Sequence, residues 1–298
     1  MKQLESPQSG QLAGANASAV KSRAVFKQYG ERRTGTNYLR FLMEQNFSDA
    51  LVLMHVLGDK HSPPAAVQLP DDPSPAESFE WVRAMTFERP ALTTREGDPE
   101  QEAHLRSIAS EIRAAFRSQR FGYLISIKNP YAWGVSVAAF ECYLPPESPR
   151  NSRKFRSFPR VTEPLLGKAY ESRACLRLRR DCLRLNECYR AWLDLHQRSD
   201  GRSTIVRYED LLKNPDSVLE RIGRQYDLHP RGGAVLSSKK ITRPADWDHL
   251  PAPAAKATFD PEYYLQARYM NLMTPWMRAT ISLSIDWQLM SKFGYERQ

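Results

Sequence analysis

A short segment near the N-terminus, Gly30-Glu-Arg-Arg-Thr-Gly-Thr-Asn37, combines residue types that bind anions. Gly30 and Gly35 stand five positions apart, as the glycines of a G-x-x-x-x-G phosphate loop do. The segment joins an apolar run to an amphipathic helical pattern, and a helix N-terminus carries about half a positive charge. Thr36 and Asn37 replace the Lys and Ser/Thr of a nucleoside-triphosphate loop, while Arg32 and Arg33 place cations inside the loop. The segment therefore predicts a phosphate-binding loop, but not one for a nucleoside triphosphate.

Two further segments place polar residues directly after an apolar run. Lys128 follows the run 121–127, and Ser136 stands eight positions later. Pro130 can begin a helix, which puts Ser136 roughly 9 Å along its axis at 1.5 Å per residue, so that both side chains could reach one phosphate group. Tyr208 to Asp210 follow a third run. Because ligands bind beyond the carboxyl ends of parallel strands, two anion sites at one sheet edge suggest a ligand with two anionic ends.

The order of strand-like and helical patterns predicts an α/β fold. The strand patterns occupy residues 23–29, 50–55, 121–127 and 203–208, and helical periodicity follows at 36–45, 99–116, 175–192, 215–222, 261–273 and 275–290. Their alternation predicts three layers, with a central parallel sheet of about five strands flanked by helices. We expect residues 1–20 to form a polar, disordered tail and residues 21–298 to form a single domain.

Composition restricts the class of protein. The net charge is +9, with 43 Lys and Arg against 34 acids, which favours anionic ligands in general. No apolar run approaches the ~20 residues of a membrane span, and the N-terminus lacks the apolar core of a signal peptide. The four cysteines contain no C-x-x-C pair, so the sequence indicates neither a zinc site nor a disulfide framework. We expect a reduced, cytoplasmic protein without a transmembrane segment.

Taken in order, the three motifs resemble those of the sulfotransferases that use 3′-phosphoadenosine 5′-phosphosulfate (PAPS). Arg33-Thr-Gly-Thr-Asn-Tyr-Leu39 is similar to the 5′-phosphosulfate loop of that family. Ile127-Lys-Asn-Pro with Ser136 resembles its 3′-phosphate motif, and Arg207-Tyr-Glu-Asp-Leu-Leu resembles its R-Y-E-D-L segment. The resemblance extends from about Val25 to Tyr295 and implies an architecture related to that of phosphate-loop kinases.

The resemblance also implies a role for each matched residue. Arg33 would bind the transferring sulfuryl group and stabilise charge on the leaving oxygen. The implied PAPS-binding positions are Thr34, Gly35, Thr36, Asn37 and Tyr38 at the 5′-phosphate end, Lys128 and Ser136 at the 3′-phosphate, and Tyr208 near the adenine. Lys128 replaces the usual Arg, which keeps the charge but loses bidentate geometry. Sulfuryl transfer of this kind implies no metal.

The acceptor hydroxyl or amine needs a base, and family members often place a His, sometimes a Glu, after the second strand. His61 stands there and is the first choice because the pKa of histidine lies near neutrality. Asp59 and Glu88 are alternatives. The acceptor could be a glycan, a lipid-linked sugar or a small metabolite, bound by loops at 63–96 and 142–171. The basic stretch 145–160 is either a solvated loop or a lid over an anionic acceptor.

Two other functions remain open from the residues. A nucleotide-dependent kinase on the same fold should carry G-K-[ST] and a magnesium-binding Asp, and the G-T-N of this chain argues against it. A non-catalytic polyanion-binding module would bind with a steep dependence on salt and without a saturable nucleotide site. The sequence lacks evident stacking motifs for RNA, so we expect no nucleic-acid partner.

Overall fold

The structure is a computed structural model that describes residues 22–64, 73–86, 99–140, 164–232 and 260–298. Its strands are β1 (Ala24–Gly30), β2 (Ala50–Leu53), β3 (Phe121–Ile127) and β4 (Ser203–Arg207). Its helices are α1 (Thr36–Asn46), α2 (Pro75–Ala84), α3 (Pro99–Arg117), α4 (Pro130–Phe140), α5 (Pro164–Arg198), α6 (Tyr208–Lys213), α7 (Pro215–Gln225), α8 (Glu262–Leu265), α9 (Pro275–Ser284) and α10 (Trp287–Ser291). The predicted tail lies outside these residues, and the assignment of one domain stays a prediction.

The strands form one parallel sheet in the order β2-β1-β3-β4, which confirms the predicted α/β class. The prediction of about five strands is wrong for the described residues, where the sheet has four. Side chains of α7 occupy the outer edge of β4. Gln225 Nε2 donates to the carbonyls of Gly201 and Ser203, at 2.7 and 3.3 Å, and Arg221 donates to that of Ile205 at 3.4 Å. These side-chain donors use carbonyls at the outer edge of β4 that would otherwise be open to a further strand.

Helices cover both faces of the sheet, as the predicted three layers require. Side chains alternate along β1, so that Ala24 and Phe26 join the cluster beneath α1 and α7. Val25 joins a second cluster beneath α2 and α3. Tyr29 joins a third beneath α4, α5 and α9. Within the described residues, no helix combines the length and apolarity needed to cross a membrane.

The C-terminal part differs in detail from the periodic patterns. The pattern at 261–273 divides into α8 and a 3₁₀ helix, Arg268–Leu272, because Ala267 adopts a left-handed φ of 51° between them. The pattern at 275–290 divides at Ile285, which is extended, and Asp286 then caps α10 by accepting the Leu289 N–H.

Candidate functional site

Residues 30–36, which we call the anion loop, join β1 to α1 at the carboxyl edge of the sheet. Arg33 and Gly35 have left-handed φ angles of 68° and 83°, and Thr34 between them does not. Alternating backbone hands of this kind turn successive N–H groups to one side and create an anion-binding concavity. Helix α1 then begins with no side-chain cap and no acidic residue in its first turn. An anion would therefore meet unopposed N–H groups here.

Both glycines of the anion loop are required by close packing. A Cβ on Gly30 would lie 2.6 Å from Thr36 Cγ2 and 2.9 Å from the Ser126 carbonyl oxygen. A Cβ on Gly35 would lie 2.3 Å from Cδ2 of Tyr208. The ring of Tyr208, at the start of α6, thus packs directly against the anion loop. The first and third sequence motifs meet at this contact.

The second motif joins them through Lys128, which is 1% exposed. Its ammonium donates to Ser136 Oγ at 2.9 Å and to the Arg33 carbonyl at 3.3 Å. It also lies 4.7 Å from the ring centroid of Tyr208 and 4.1 Å from that of Tyr264. Burial lowers the pKa of Lys128. The predicted convergence of Lys128 and Ser136 is thus present, and it lies against the anion loop.

The turn that carries Lys128 is held by side chains from two helices, α5 and α6. The Tyr189 hydroxyl of α5 accepts from the Lys128 N–H at 2.9 Å and donates to its carbonyl at 3.2 Å. Glu209 accepts from the Asn129 N–H at 3.0 Å and from the Tyr295 hydroxyl at 2.7 Å. Asn129 in turn caps α4 by accepting from the Tyr131 N–H. The backbone of Lys128 is therefore restrained from both sides.

His61 lies beside the anion loop, with its Nδ1 2.6 Å from the Gly30 carbonyl oxygen. A carbonyl can only accept, so Nδ1 carries the proton and the Nε2 lone pair is the proton acceptor. Burial, together with the charge of Lys60, lowers the pKa of His61 to about 3. The imidazole is therefore neutral at physiological pH. It has the tautomer that a general base needs.

Lys60 is a cation of the site that the sequence reasoning did not assign. It is 3% exposed, and its ammonium donates to Asn37 Oδ1 at 2.7 Å and to Met54 Sδ at 3.1 Å. Lys60 thus supplies a positive charge at the start of α1, where the sequence itself has Thr36 instead of a phosphate-loop lysine. Its position after β2, in the same Lys60–His61 pair, is the signal that could have identified it.

The remaining predicted residues occupy different places around the loop. The side chains of Arg33 and Asn37 are exposed. Thr34 donates both its N–H and its hydroxyl to the Glu31 carbonyl, at 3.2 and 2.7 Å, so these groups stabilise the loop itself. Thr36 is buried, and its carbonyl accepts from Gln28 Nε2 at 2.8 Å. Tyr38 is 6% exposed and packs in the cluster beneath α1. Their roles toward a ligand stay predictions.

The alternative bases are less favourably placed or lie outside the described residues. Burial would raise the pKa of Asp59, but His55, whose Nδ1 lies 3.7 Å from Asp59 Oδ1, and the nearby His61 hold it below its usual range. A lowered pKa makes a side chain a weaker proton acceptor, and this applies to His61 as well as to Asp59, so the expected pKa near neutrality for His61 is wrong for the ligand-free protein. Glu88, the basic stretch 145–160 and most of the two acceptor loops lie outside the described residues. Among the described residues, no group of three or more metal-ligating side chains occurs.

Tyr264 on α8 is a further member of the site that sequence reasoning missed. Its hydroxyl lies 3.5 Å from Ser136 Oγ, and its ring meets that of Tyr208 edge-on, with centroids 5.2 Å apart. The two rings therefore pack around the Lys128 ammonium beyond the end of β3. The adjacent tyrosines of Glu-Tyr-Tyr-Leu265 are the only trace of this in the sequence, because their distance from the motifs along the chain is large.

Neither a family model nor a curated protein matches this chain. Among solved structures, a sulfotransferase domain from the Synechococcus PCC 7002 olefin synthase aligns with 99% of this chain and 99% of that chain. The alignment has 17% sequence identity and a TM-score of 0.37. A TM-score at this level does not establish a shared fold, so the functional argument rests on the geometry of the site.

Proposed function

We propose that this protein is a sulfotransferase that moves a sulfuryl group from PAPS to a hydroxyl or amine of a glycan, lipid-linked sugar or small metabolite. The observation that carries the proposal is the burial of Lys128 against the anion loop. Among the residues that the structure describes, its ammonium forms no direct ion pair with a carboxylate. Its neighbours are the Ser136 hydroxyl, the Arg33 carbonyl and the side chains of Tyr208 and Tyr264, and the more distant Glu209 charge only partly offsets the effect of burial on its pKa. A buried cation with neutral neighbours is strongly favoured by an anionic ligand.

The donor set fits both anionic ends of PAPS. Lys128 and Ser136 would hold the 3′-phosphate, and Tyr208 with Tyr264 offers aromatic surface for the adenine. The N–H groups of the anion loop and the start of α1 would hold the 5′-phosphate, beside Asn37 and Lys60. Cations from two different strand ends therefore serve one ligand. The kinase alternative lacks a comparable explanation for Lys128 and Ser136.

The chain's own groups would supply charge stabilisation and a proton acceptor. Bound PAPS supplies the sulfuryl group and leaves as 3′,5′-adenosine bisphosphate when the acceptor oxygen or nitrogen forms its bond to sulfur. Arg33 and Lys60 would stabilise negative charge on the leaving oxygen. His61 Nε2 would take the proton that the acceptor loses, while the Gly30 carbonyl holds Nδ1–H and fixes the tautomer. Negative charge from bound PAPS next to His61 favours the imidazolium that then forms.

Binding of 3′,5′-adenosine bisphosphate, followed by thermal unfolding, tests the proposal without knowledge of the acceptor. We expect saturable stabilisation of the wild-type protein, because a ligand at 100 times its Kd adds about 2.7 kcal/mol. AMP, which lacks the 3′-phosphate, should stabilise much less. Arg33→Ala should weaken bisphosphate binding. Arg224→Ala is the matched control, since Arg224 is 81% exposed on α7, away from the loop.

The alternatives give different results in the same assay. Stabilisation by ATP with Mg²⁺ but not by the bisphosphate would support the kinase. Absence of any saturable nucleotide effect at millimolar concentration would refute the sulfotransferase proposal and leave the polyanion-binding module. If the bisphosphate binds, His61→Ala tests the base: turnover should be lost while the bisphosphate still binds.

A further inference from the structure

Lys27 lies in the middle of β1 and is completely buried. Its side chain points to the face covered by α2, α3 and α5, opposite to that of Phe26. The ammonium donates to three backbone carbonyls, those of Met54 at 2.9 Å, Val56 at 3.0 Å and Gly58 at 2.6 Å. An ammonium has three donors, so all of them are used. None of these contacts belongs to the sheet.

The three carbonyls belong to one segment, residues 54–61, which we call the base segment because it ends in Lys60 and His61. That role as a base rests on the proposed function, whereas the contacts do not. The far end of the segment is also tied to β1: the Gly30 N–H donates to the Lys60 carbonyl at 2.9 Å, and His61 Nδ1 donates to the Gly30 carbonyl. Arg184 of α5 donates to the His61 carbonyl at 2.7 Å.

The two ends of the base segment are held by different groups. The Lys27 ammonium binds the near end, and backbone and side-chain hydrogen bonds at Gly30 and Arg184 bind the far end. Residues 54–58 have no strand pairing, since β2 ends at Leu53. Their carbonyls at alternate positions face the Lys27 ammonium instead. Without that donor, three carbonyls next to the core would lose their hydrogen bonds. The segment would keep only the Gly58 N–H bond to the Met85 carbonyl, the packing of Leu57 and the ties at its far end. A misplaced segment would move both Lys60, at Asn37, and His61, at Gly30.

The cost of burying the Lys27 ammonium indicates that Lys27 does more than support the sheet. A lysine in a buried strand is costly, because burial lowers its pKa to about 7, although the Asp59 carboxylate opposes the shift. An apolar residue would serve the sheet better if the sheet were all that Lys27 supported. The three hydrogen bonds offset this cost by fixing the backbone of residues 54–58, which an apolar side chain could not do. Strained or polar exceptions to local rules concentrate at functional sites.

We propose that Lys27 is a positioning residue whose ammonium holds the base segment in place and so sets His61 and Lys60 against the anion loop. Lys27 touches neither the anion loop nor the expected ligand; it acts through the backbone between Met54 and Gly58. The side chains that face it are Tyr29, 5.3 Å from its ammonium, and the charged neighbours Asp59 and Lys60.

The first test uses the wild-type protein without ligand. Protein labelled with ¹⁵N at lysine, at pH 6, should show a Lys27 ammonium signal whose protons exchange slowly with water and give Overhauser contacts to amide protons of residues 55–59. Exposed lysine ammonium groups exchange too fast to give such a signal. If no slowly exchanging ammonium contacts these amides, Lys27 does not hold the segment and the proposal is overturned.

The second test compares Lys27→Met with Lys213→Met, an exposed lysine on α6. In Lys27→Met we expect amide protection in the base segment to fall by tenfold or more, on the order expected for lost charge-assisted bonds, while β3 stays within about twofold. The ¹⁵N shifts of the His61 ring should change from a single Nδ1–H tautomer to a mixture. Lys213→Met should leave both unchanged.

The outcomes separate this proposal from the proposed function. A folded Lys27→Met that keeps the protection and the His61 tautomer would overturn the positioning role. If the variant fails to fold, the wild-type protein still tests the proposal: a slowly exchanging Lys27 ammonium with contacts to the amides of residues 55–59 supports it, and the absence of that signal overturns it. If Lys27→Met binds the bisphosphate and keeps the His61 tautomer, the sulfotransferase proposal survives and the positioning role of Lys27 is refuted. Failure of bisphosphate binding in the wild type would refute the function and leave the positioning role as measured.

Discussion

At the scale of single residues, the site is organised by buried cations whose partners are neutral groups. Lys27 contacts three carbonyls, and Lys128 contacts Ser136, the Arg33 carbonyl and two tyrosine rings. The two lysines differ in what they hold. Lys27 faces a segment of the protein itself, whereas Lys128 faces the open end of the sheet beside the anion loop. Lys128 is thus the lysine that lies where the proposed ligand would bind.

Replacement of Lys128 should therefore affect one end of the nucleotide selectively. In Lys128→Met we expect the affinity for 3′,5′-adenosine bisphosphate to fall by roughly tenfold to a hundredfold, since charge-assisted hydrogen bonds are worth about 1.5–3 kcal/mol. Affinity for AMP, which has no 3′-phosphate, should change little. Isothermal titration calorimetry measures both. An equal loss for both nucleotides would contradict the assignment of Lys128 to the 3′-phosphate.

At the scale of elements, the anion loop and the start of α6 form a single packed unit. Gly35 begins α1 in a left-handed conformation, and the Tyr208 ring occupies the space where a side chain at position 35 would stand. Tyr208 in turn contacts Tyr264 of α8. Three elements that are far apart in the chain thus share one contact surface beside Lys128.

Gly35→Ala should disrupt this surface through a steric clash in addition to the backbone strain of an alanine with a left-handed φ. The new Cβ would lie 2.3 Å from the Tyr208 ring, so that ring or the loop must move, and bisphosphate binding should be lost. Gly201→Ala is the matched control: Gly201 has a similar φ of 74° but nothing within 4 Å of its Cβ position. We expect the control to cost about 1–2 kcal/mol of stability and to retain binding. Equal effects of the two substitutions on binding would show that the Tyr208 contact is unimportant.

At the scale of the whole molecule, the edge of the sheet opposite the site is closed by a buried ion pair. Arg120, just before β3, donates to Asp49 Oδ2 at 2.6 Å and to the carbonyls of Asp227 and Ser22. His229 lies 2.8 Å from the same carboxylate oxygen. The contacts join the beginnings of β1, β2 and β3 to the chain after α7. This edge is a stability feature, while the carboxyl edge carries the proposed chemistry.

The stability of the fold should therefore depend on Asp49 in a pH-dependent way. Burial alone would raise the pKa of Asp49, but the hydrogen bonds from His229 and Arg120 lower it from 3.8 to about 2. Because the folded value lies below the unfolded one, ionised Asp49 stabilises the fold above about pH 4, by about 2 kcal/mol. That contribution is lost as the pH falls toward 2.

Urea unfolding of the wild type and Asp49→Asn measures this contribution. At pH 7 we expect the variant to have a free energy of unfolding lower by at least about 2 kcal/mol. The difference should narrow between pH 4 and pH 2, because the wild-type carboxyl group becomes protonated there. A difference that stays constant over this range would show that the charge of Asp49 contributes nothing.

Much of the local structure and the identity of the site motifs could be predicted from the sequence. The span predicted for β3 is the observed one, and α1 and β4 match within one residue at each end, because buried parallel strands and amphipathic helices leave periodic patterns in their own residues. The glycine spacing of the anion loop and the eight-residue spacing from Lys128 to Ser136 are equally local. Each such pattern depends on neighbours along the chain, so it is visible without a fold.

Contacts between residues that are far apart along the chain were determined by the tertiary structure alone. Lys27 stands in a strand whose pattern gives no reason for its charge, and its carbonyl partners lie 27 to 31 positions away. Tyr264 joins Ser136 across 128 positions, and side chains of α7 donate to carbonyls at the outer edge of β4. Such contacts depend on how helices cross and where loops return to the sheet. The anion loop, Lys128 and Tyr208 were therefore recognisable as motifs, whereas the contacts of Lys27 and Tyr264 were determined by packing.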